Sequence, residues 1–248
     1  MRPVMNLRIA VLQHERETGL GAFVSVLDEG GIDCELLQTN GSAHLADATH
    51  FNGVIVLGGS IAATDAALVD TRRWIRNVVL QGTPYLGVCL GGQLLATALG
   101  SFVVRASPPE AGVHDVFLTN GARHDPLFCE LPGRFPVFGW HEDAFELPRG
   151  AVPLAGSIAC EHQAFRFGAS GYGLQFHPEG RPHDLGRWPA VPGYADLLTR
   201  VGANWDDLTT ELARATPALD HLVEELLGRW LDLATELTLR RERTQVAV

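Results

Sequence analysis

Residues 84–96 read Pro-Tyr-Leu-Gly-Val-Cys-Leu-Gly-Gly-Gln-Leu-Leu-Ala, an apolar run that passes through a cysteine between glycines into a second apolar run. The first run, Tyr85–Val88, predicts a buried strand. The second predicts a helix from Leu90 to Leu99, because Gly100 stands where helices commonly end. A buried strand that leads directly into a helix is the building block of α/β folds with a parallel sheet.

The segments before residue 84 repeat this order of strand and helix. Strands are predicted at Leu7–Leu12, Cys34–Leu37 and Gly53–Leu57, and helices at Gly19–Glu29 and Ala66–Leu80. Alternation of this kind predicts an α/β fold in which a mostly parallel central sheet carries helices on both faces.

The chain changes character after Phe102. Short β-like segments are predicted at Val113–Leu118, Phe135–Phe138, Val152–Ala155, Ala164–Phe167 and Tyr172–Phe176. We expect them to extend the sheet and to add a small antiparallel layer. From Gly180 onward apolar residues recur at helical spacing, with Thr216-Pro217 as the expected start of a helix. We therefore divide the chain into a main domain, residues 1–180, and a helical C-terminal extension, residues 181–248, that packs on the core or on a partner.

The composition excludes several classes of protein. The chain has 248 residues, of which 46% are hydrophobic, and it can bury a full globular core. A net charge of -10 argues against nucleic-acid binding, and the absence of lysine removes the residue that Schiff-base and P-loop chemistry require. No apolar run approaches the roughly 18 residues of a membrane-spanning helix, and the first residues do not form a convincing signal peptide. We therefore expect a cytoplasmic protein without a membrane segment.

The sequence Gly-Val-Cys-Leu-Gly at residues 87–91 has the form of a nucleophile elbow, with cysteine in place of serine. Flanking glycines leave room for a sharp strand-to-helix turn, and the N-terminus of the following helix favours a thiolate. Cys89 is therefore a candidate nucleophile; the alternative is a buried cysteine before a glycine-rich turn. The other cysteines, Cys34, Cys129 and Cys160, lack metal-ligand spacing and are expected to pack as small, reduced side chains.

A second candidate element is Gly-Tyr-Gly-Leu-Gln-Phe-His-Pro-Glu at residues 171–179. His177 and Glu179 are two residues apart, and in an extended chain their side chains project to the same side. A histidine beside a carboxylate suits a general base and the group that orients it, the second and third members of a catalytic triad. A lone histidine at a strand end would more commonly be structural.

A third element is the pair Gly58-Gly59, which follows the predicted strand Gly53–Leu57. Parallel strands end at one edge of a sheet, so this loop and the cysteine turn are expected to be neighbours. The amides of Gly59 and Leu90 are then candidates for an oxyanion hole that binds a tetrahedral intermediate.

Together these motifs resemble those of the class I (triad) glutamine amidotransferases, most of all free-standing members related to the glutaminase domain of GMP synthase. The likeness runs from Leu7 to Glu179. It is carried by Gly-Val-Cys-Leu-Gly-Gly-Gln at 87–93 and Gly-Leu-Gln-Phe-His-Pro-Glu at 173–179, with Gln13-His14, Gly58-Gly59, Gly-Trp-His-Glu-Asp at 139–143 and Gln-Ala-Phe-Arg at 163–166.

The resemblance implies a flavodoxin-like class I glutamine amidotransferase fold, with residues 1–180 as the catalytic domain. It implies Cys89 as nucleophile, His177 as base and then acid, and Glu179 as the residue that orients the histidine. Gly59 and Leu90 are implied as oxyanion donors. The residues implied around the bound glutamine are Gly58, Gln93, Trp140 and His141.

This chain departs from the family pattern at three positions near those motifs. Ser60 stands where relatives usually have proline, and Glu142 interrupts a common His-Gly-Asp with a side chain. Ala111 makes Glu-Ala-Gly an imperfect match to Glu-Ile-Gly. If Glu142 lines the pocket, the acyl group that is accepted could differ from that of free glutamine.

Three functions remain open on the sequence. The first is a glutamine amidohydrolase that releases ammonia through a γ-glutamyl thioester, with a separate synthase subunit as the receiver because no ATP-binding loop is visible. The second is a γ-glutamyl peptide hydrolase with the same triad, and the third is a non-catalytic regulatory module of the same fold. No metal or cofactor is expected, since the spacing of His141, Glu142 and Asp143 fits no standard metal site.

Overall fold

A computed structural model describes residues 7–38, 45, 47–191 and 193–246; residues 1–6 of the expected main domain lie outside the described residues. The strands are β1 (Arg8–Gln13), β2 (Asp33–Gln38), β3 (Gly53–Val56), β4 (Tyr85–Val88), β5 (Val103–Leu118), β6 (Arg134–Phe145), β7 (Val152–Gly156), β8 (Ala164–Phe167) and β9 (Gly171–Leu174). The α-helices are α1 (Phe23–Glu29), α2 (Val69–Leu80), α3 (Leu90–Ala98), α4 (Pro182–Leu185), α5 (Tyr194–Arg200) and α6 (Trp205–Val246). Short 3₁₀ helices occupy Ala48–His50, Ala66–Leu68, Asn120–His124 and Trp188–Ala190.

The nine strands form one mixed sheet in the order β2-β1-β3-β4-β9-β8-β7-β5-β6. The pairs from β2 to β9 are parallel, and those from β9 to β6 are antiparallel. The parallel strands β3, β4 and β9 are neighbours, so the loops that follow them meet at one edge of the sheet. These are the loops that carry Gly58-Gly59, Cys89 and His177.

Helices cover both faces of the parallel half, as the sequence predicts. On β1, Ile9 and Val11 belong to the apolar cluster that includes α1 and α6, whereas Ala10 and Leu12 belong to the cluster that includes α2 and α3. All four residues of β3 and all four of β4 are buried. Strands that are buried on both faces read as continuous apolar runs, which is why they were recognisable in the sequence.

The antiparallel half differs from the prediction in two respects. Its strands belong to the same sheet and not to a separate layer, and β5 and β6 form a long hairpin of 16 and 12 residues. The pairing of this hairpin is irregular between Arg105 and Glu110, where Pro108 and Pro109 supply no amide hydrogens. The prolines made the first part of β5 read as a turn.

The C-terminal extension contains one helix of 42 residues, α6, and the predicted start at Thr216-Pro217 is wrong. Pro217 lies inside the helix, although it cannot donate a backbone hydrogen bond. Residues on both sides of it, Leu212 and Leu219 among them, are fully buried, and this packing offsets the missing bond. The true start is marked by Asn204, whose side-chain oxygen accepts from the amide of Asp207 at 2.9 Å. Within the described ranges, neither α6 nor another helix has an apolar stretch that could cross a bilayer.

Gly91 marks the tightest contact between helix α3 and the sheet. A Cβ placed there would lie 2.1 Å from the carbonyl oxygen of Val56 on β3, a distance that no side chain tolerates. We expect Gly91→Ala to lower the free energy of unfolding by about 2 kcal/mol or more, because rigid backbone would have to move. Thermal or urea unfolding measures the change.

The matched control is Gly228→Ala in α6, where an added Cβ meets nothing within 4 Å. This substitution is expected to raise stability by roughly 0.5–1 kcal/mol, the usual gain from alanine inside a helix. Equal stability of the two variants would contradict the close helix–strand contact.

Candidate active site

Cys89 lies at the turn between β4 and α3, in a backbone conformation that side chains rarely adopt. Its φ is 49° and its ψ is -106°, and among the described residues it is the one non-glycine with a positive φ. Strain of this kind persists where the surrounding structure imposes it, and it is common at functional sites. Cys89 is also the N-cap of α3, so the positive end of the helix dipole lies beside the sulfur.

The sulfur of Cys89 has hydrogen-bond contacts with Trp140 and Gln175. Sγ lies 3.7 Å from the carbonyl oxygen of Trp140 on β6, and Nε2 of Gln175 donates to Sγ at 3.6 Å. Gln175 follows β9 directly and is fully buried. Gln175 was assigned no role from the sequence, although it stands two residues before His177 in the same motif.

His177 and Glu179 form a buried pair at the same edge of the sheet. Nδ1 of His177 lies 2.7 Å from Oε1 of Glu179, and both side chains are at least nine-tenths buried. The predicted contact is present, but the reason given for it is wrong. Strand β9 ends at Leu174, and residues 175–179 form a bend and a turn in which the two side chains meet.

The surroundings of His177 change its acidity. Burial would lower the pKa of the imidazole, but the carboxylate of Glu179 and the sulfur of Cys89 outweigh it and hold the pKa well above its ordinary value. Nδ1 is hydrogen-bonded to Glu179, so Nε2 is the nitrogen that can act on a reacting group. Nε2 is buried and has no hydrogen-bond partner among the described residues. This is the arrangement that a general base requires.

Gly58 lies between the histidine and the cysteine. A Cβ placed on Gly58 would be 2.9 Å from Cε1 of His177 and 3.7 Å from Cβ of Cys89. The two side chains therefore flank the same glycine, although 88 positions separate them in the sequence. A larger residue at position 58 would have to displace the imidazole.

The two predicted oxyanion donors are neighbours. A Cβ on Gly59 would lie 3.0 Å from Cδ2 of Leu90, and Leu90 is the first residue of α3, whose amide has no partner inside the helix. The adjoining loop is held by Glu15, whose carboxylate accepts from the amide of Ser60 at 2.8 Å and also from its hydroxyl. Ser60 therefore makes a defined contact at the position where relatives have proline.

A cavity of about 250 Å³ opens beside Cys89. Five of the predicted site residues line it: Gly59, Cys89, Gln93, Trp140 and His141. The others that line it are Ser60, Ile61, Ala62, Arg105, Glu142, Asp143, Gly193, Tyr194 and Leu197. Gly58 is not among the residues that line the cavity and lies between Cys89 and His177. No group of three or more metal-ligating side chains is present in the part of the chain that the structure describes.

Buried hydrogen bonds hold two of the lining residues. Nε2 of Gln93 donates to the carbonyl of Asp143 at 2.9 Å and to Oε1 of Gln175 at 3.3 Å. Nε2 of His141 lies 2.9 Å from Oε2 of Glu110 on β5. Burial acts to raise the pKa of Glu110, but His141 and His114 outweigh it and lower the pKa, so that the carboxylate stays charged as a fixed partner for His141.

The model of the class-I glutamine amidotransferase family matches residues 22–189. The chain belongs to this family. A glutamine amidotransferase-like protein of Salmonella typhimurium, YfeJ, is 28% identical over 181 residues, which are 70% of this chain and 76% of that protein. A GMP synthase of Streptococcus mutans is 33% identical over 184 residues, 71% of this chain and 34% of that enzyme. The chain therefore spans about a third of the length of such synthases.

Solved structures confirm the predicted fold. A glutamine amidotransferase from Thermotoga maritima superposes with a TM-score of 0.81 at 29% identity, over 91% of this chain and 98% of that one. A glutamine amidotransferase from Methylobacillus flagellatus shares the fold with a TM-score of 0.80 at 24% identity. Helix α6 alone makes up 42 of the 248 residues, so coverage of 91% has to include part of this helix.

Proposed function

We propose that this protein hydrolyses the side-chain amide of glutamine, with Cys89 as nucleophile, His177 as base and acid, and Glu179 as the residue that orients the imidazole. The observation that carries the proposal is the strained cysteine beside a buried histidine–carboxylate pair. A structural cysteine has no need of a positive φ, and a buried Nε2 without a partner is costly unless a reacting group uses it. Family membership supports the same chemistry.

The proposed reaction has two halves. In the first, His177 takes the proton of the Cys89 thiol, Sγ attacks the amide carbon of glutamine, and the amides of Gly59 and Leu90 stabilise the oxyanion that forms. His177 then gives this proton to the nitrogen, the carbon–nitrogen bond breaks, and ammonia leaves a γ-glutamyl thioester. In the second half His177 takes a proton from water and the hydroxide attacks the thioester. The carbon–sulfur bond then breaks, glutamate is released, and His177 returns the proton to the sulfur of Cys89. Glutamine and water thus give glutamate and ammonia.

The size of the cavity favours glutamine over a γ-glutamyl peptide, which would use the same triad. Sites that enclose drug-sized ligands measure roughly 300–1,000 Å³. A cavity of about 250 Å³ that also has to admit the sulfur of Cys89 suits a single amino acid. The non-catalytic alternative is disfavoured because it gives no reason for three positioned reacting groups.

Ammonia release from glutamine tests this function. We expect the purified protein to release ammonia from glutamine with a kcat/KM at least tenfold higher than for amine release from a γ-glutamyl dipeptide, because a cavity of this size suits a single amino acid. Coupled glutamate dehydrogenase and peptide chromatography measure the two products. A preference for the γ-glutamyl peptide would reverse the substrate assignment, and inertness toward both, together with an unreactive Cys89, would favour the regulatory module.

The receiver of the ammonia is proposed to be a separate polypeptide. In the GMP synthases that the chain matches, roughly two thirds of the sequence lies outside the matched part. In this chain α5 and α6 follow the residues that the family model matches. We propose a separate synthase as the receiver because no ATP-binding loop is visible in the sequence, and we propose that the chain divides at about residue 180 into a glutaminase domain and an extension.

A further inference from the structure

One wall of the cavity comes from outside the matched family domain. The family model ends at residue 189, whereas Gly193, Tyr194 and Leu197 line the cavity together with Cys89. All three belong to α5 or to the residue that caps it. The extension therefore does not merely pack on the back of the sheet. It completes the substrate pocket.

An aromatic cluster holds this wall against the catalytic edge. The ring of Trp140 stacks on Trp205, the first residue of α6, with centroids 5.4 Å apart and planes 25° apart. Tyr194 packs on Trp140 at 5.4 Å and on Trp188 at 5.1 Å, and the ring of Trp188 lies 5.9 Å from His177. Contacts at these distances stabilise a fixed geometry. Tyr194 and Trp205 thereby contact Trp140 of the pocket, and Trp188 connects Tyr194 to the ring of His177.

An ion pair connects the far end of α5 to the mouth of the pocket. Arg200, the last residue of α5, pairs with Glu142 on β6, and Arg105 on β5 lies 3.3 Å from the other carboxylate oxygen. Glu142 is the residue that stands in place of the glycine of the common His-Gly-Asp, and glycine could not make this pair. Glu142, which departs from the family pattern, thus forms an ion pair between the mouth of the pocket and the extension.

We propose that the Glu142–Arg200 ion pair holds α5 over the glutamine pocket and lets this chain hydrolyse glutamine without a second subunit to complete the site. The inference rests on the proposed glutaminase function and concerns how its site is completed, not where the ammonia goes. Arg200 is a positioning residue in this scheme.

The test compares steady-state constants for glutamine in the isolated full chain. Arg200→Gln is expected to raise KM about threefold to fivefold with kcat changed less than twofold, because a partly exposed ion pair stabilises the closed wall without touching the reacting atoms. Arg200→Lys, which keeps the charge, should restore KM to within about twofold. The matched control is Arg214→Gln, which changes an exposed arginine of α6 that has no ion pair with any of the described residues, and it should behave as wild type.

A double-mutant cycle separates the ion pair from other effects of Glu142. If loss of the ion pair causes the rise in KM, the double variant Glu142→Gln/Arg200→Gln should have a KM no higher than that of the more affected single variant. Additive effects, or an Arg200→Gln variant indistinguishable from Arg214→Gln, would overturn the role of the pair.

Wild-type protein that reacts with a glutamine-analogue electrophile at Cys89 but releases no ammonia alone would overturn independence from a second subunit while leaving the proposed chemistry in place. A chain that is neither labelled nor active would instead reject the proposed function itself.

Discussion

Cys89→Ala is expected to lower kcat for glutamine by about 10⁴-fold or more, because removal of the nucleophile of a triad leaves only binding and oxyanion stabilisation. The fold should persist, since the substitution removes one small atom from a turn that neighbouring backbone imposes. Ammonia release gives the rate, and circular dichroism with thermal unfolding checks the fold. Mass spectrometry after treatment with a glutamine-analogue electrophile should find one label on the wild type and none on the variant.

The other cysteines supply the controls for this experiment. All three are free thiols, as predicted, but Cys34 and Cys129 are exposed, so the prediction that they pack as small apolar groups is wrong for these two; Cys160 is buried as expected. Exposed thiols are accessible to any electrophile, but they lack the histidine partner, whereas burial raises the pKa of Cys160 to about 11 and makes its thiol unreactive. Cys129→Ala should keep full turnover and labelling. Labelling of Cys129 in place of Cys89, or turnover by Cys89→Ala, would refute the assignment of the nucleophile.

The parts of the fold that the sequence predicted are those with local causes. Strands β3 and β4 are buried on both faces and end in glycines, so their apolar runs and their turns are visible without any knowledge of neighbours. The turn at Cys89 also has a local cause. A helix that begins immediately after a strand lies so close to the sheet that only glycine fits at position 91, beside the carbonyl of Val56. The spacing of His177 and Glu179 already made them a candidate base and orienting carboxylate, and the resemblance of the motifs assigned them to one site with Cys89.

The parts that escaped prediction depend on contacts between distant segments. Pro217 is a strong local signal for the start of a helix. Leu212 before it and Leu219 after it are both buried, and this packing stabilises α6 as one helix across the proline. Trp205 stacks on Trp140 although the two residues are 65 positions apart, and no periodic pattern in either segment predicts this contact. For this reason the sequence placed the extension on the core or on a partner and could not place α5 in the wall of the pocket.

Glu179→Gln is expected to reduce kcat for glutamine by roughly 10³- to 10⁴-fold with a small change in KM. The amide keeps the size of the side chain, but it no longer supplies the charge that fixes the tautomer of His177 and stabilises its imidazolium. Glu161→Gln, at an exposed position outside the cavity, is the matched control and should leave kcat unchanged. A Glu179→Gln variant within tenfold of wild type would remove Glu179 from the mechanism.

The same variant has a pH dependence of stability whose sign follows from His177. Its pKa in the folded protein lies well above the value of about 6.5 expected in the unfolded chain, with burial opposing the shift and Glu179 the strongest charge that produces it. The protonated pair therefore stabilises the fold fully below about pH 6.5 and progressively less as the pH rises through the raised pKa. Without the carboxylate the pKa of His177 falls, and the buried imidazole resists protonation. Urea unfolding measures the free energy of unfolding of both proteins as a function of pH. The wild type should exceed Glu179→Gln by the largest amount near pH 6 and by less toward alkaline pH. A difference that grows with pH would mean that His177 is neutral in the native protein and that Glu179 does not stabilise its protonated form.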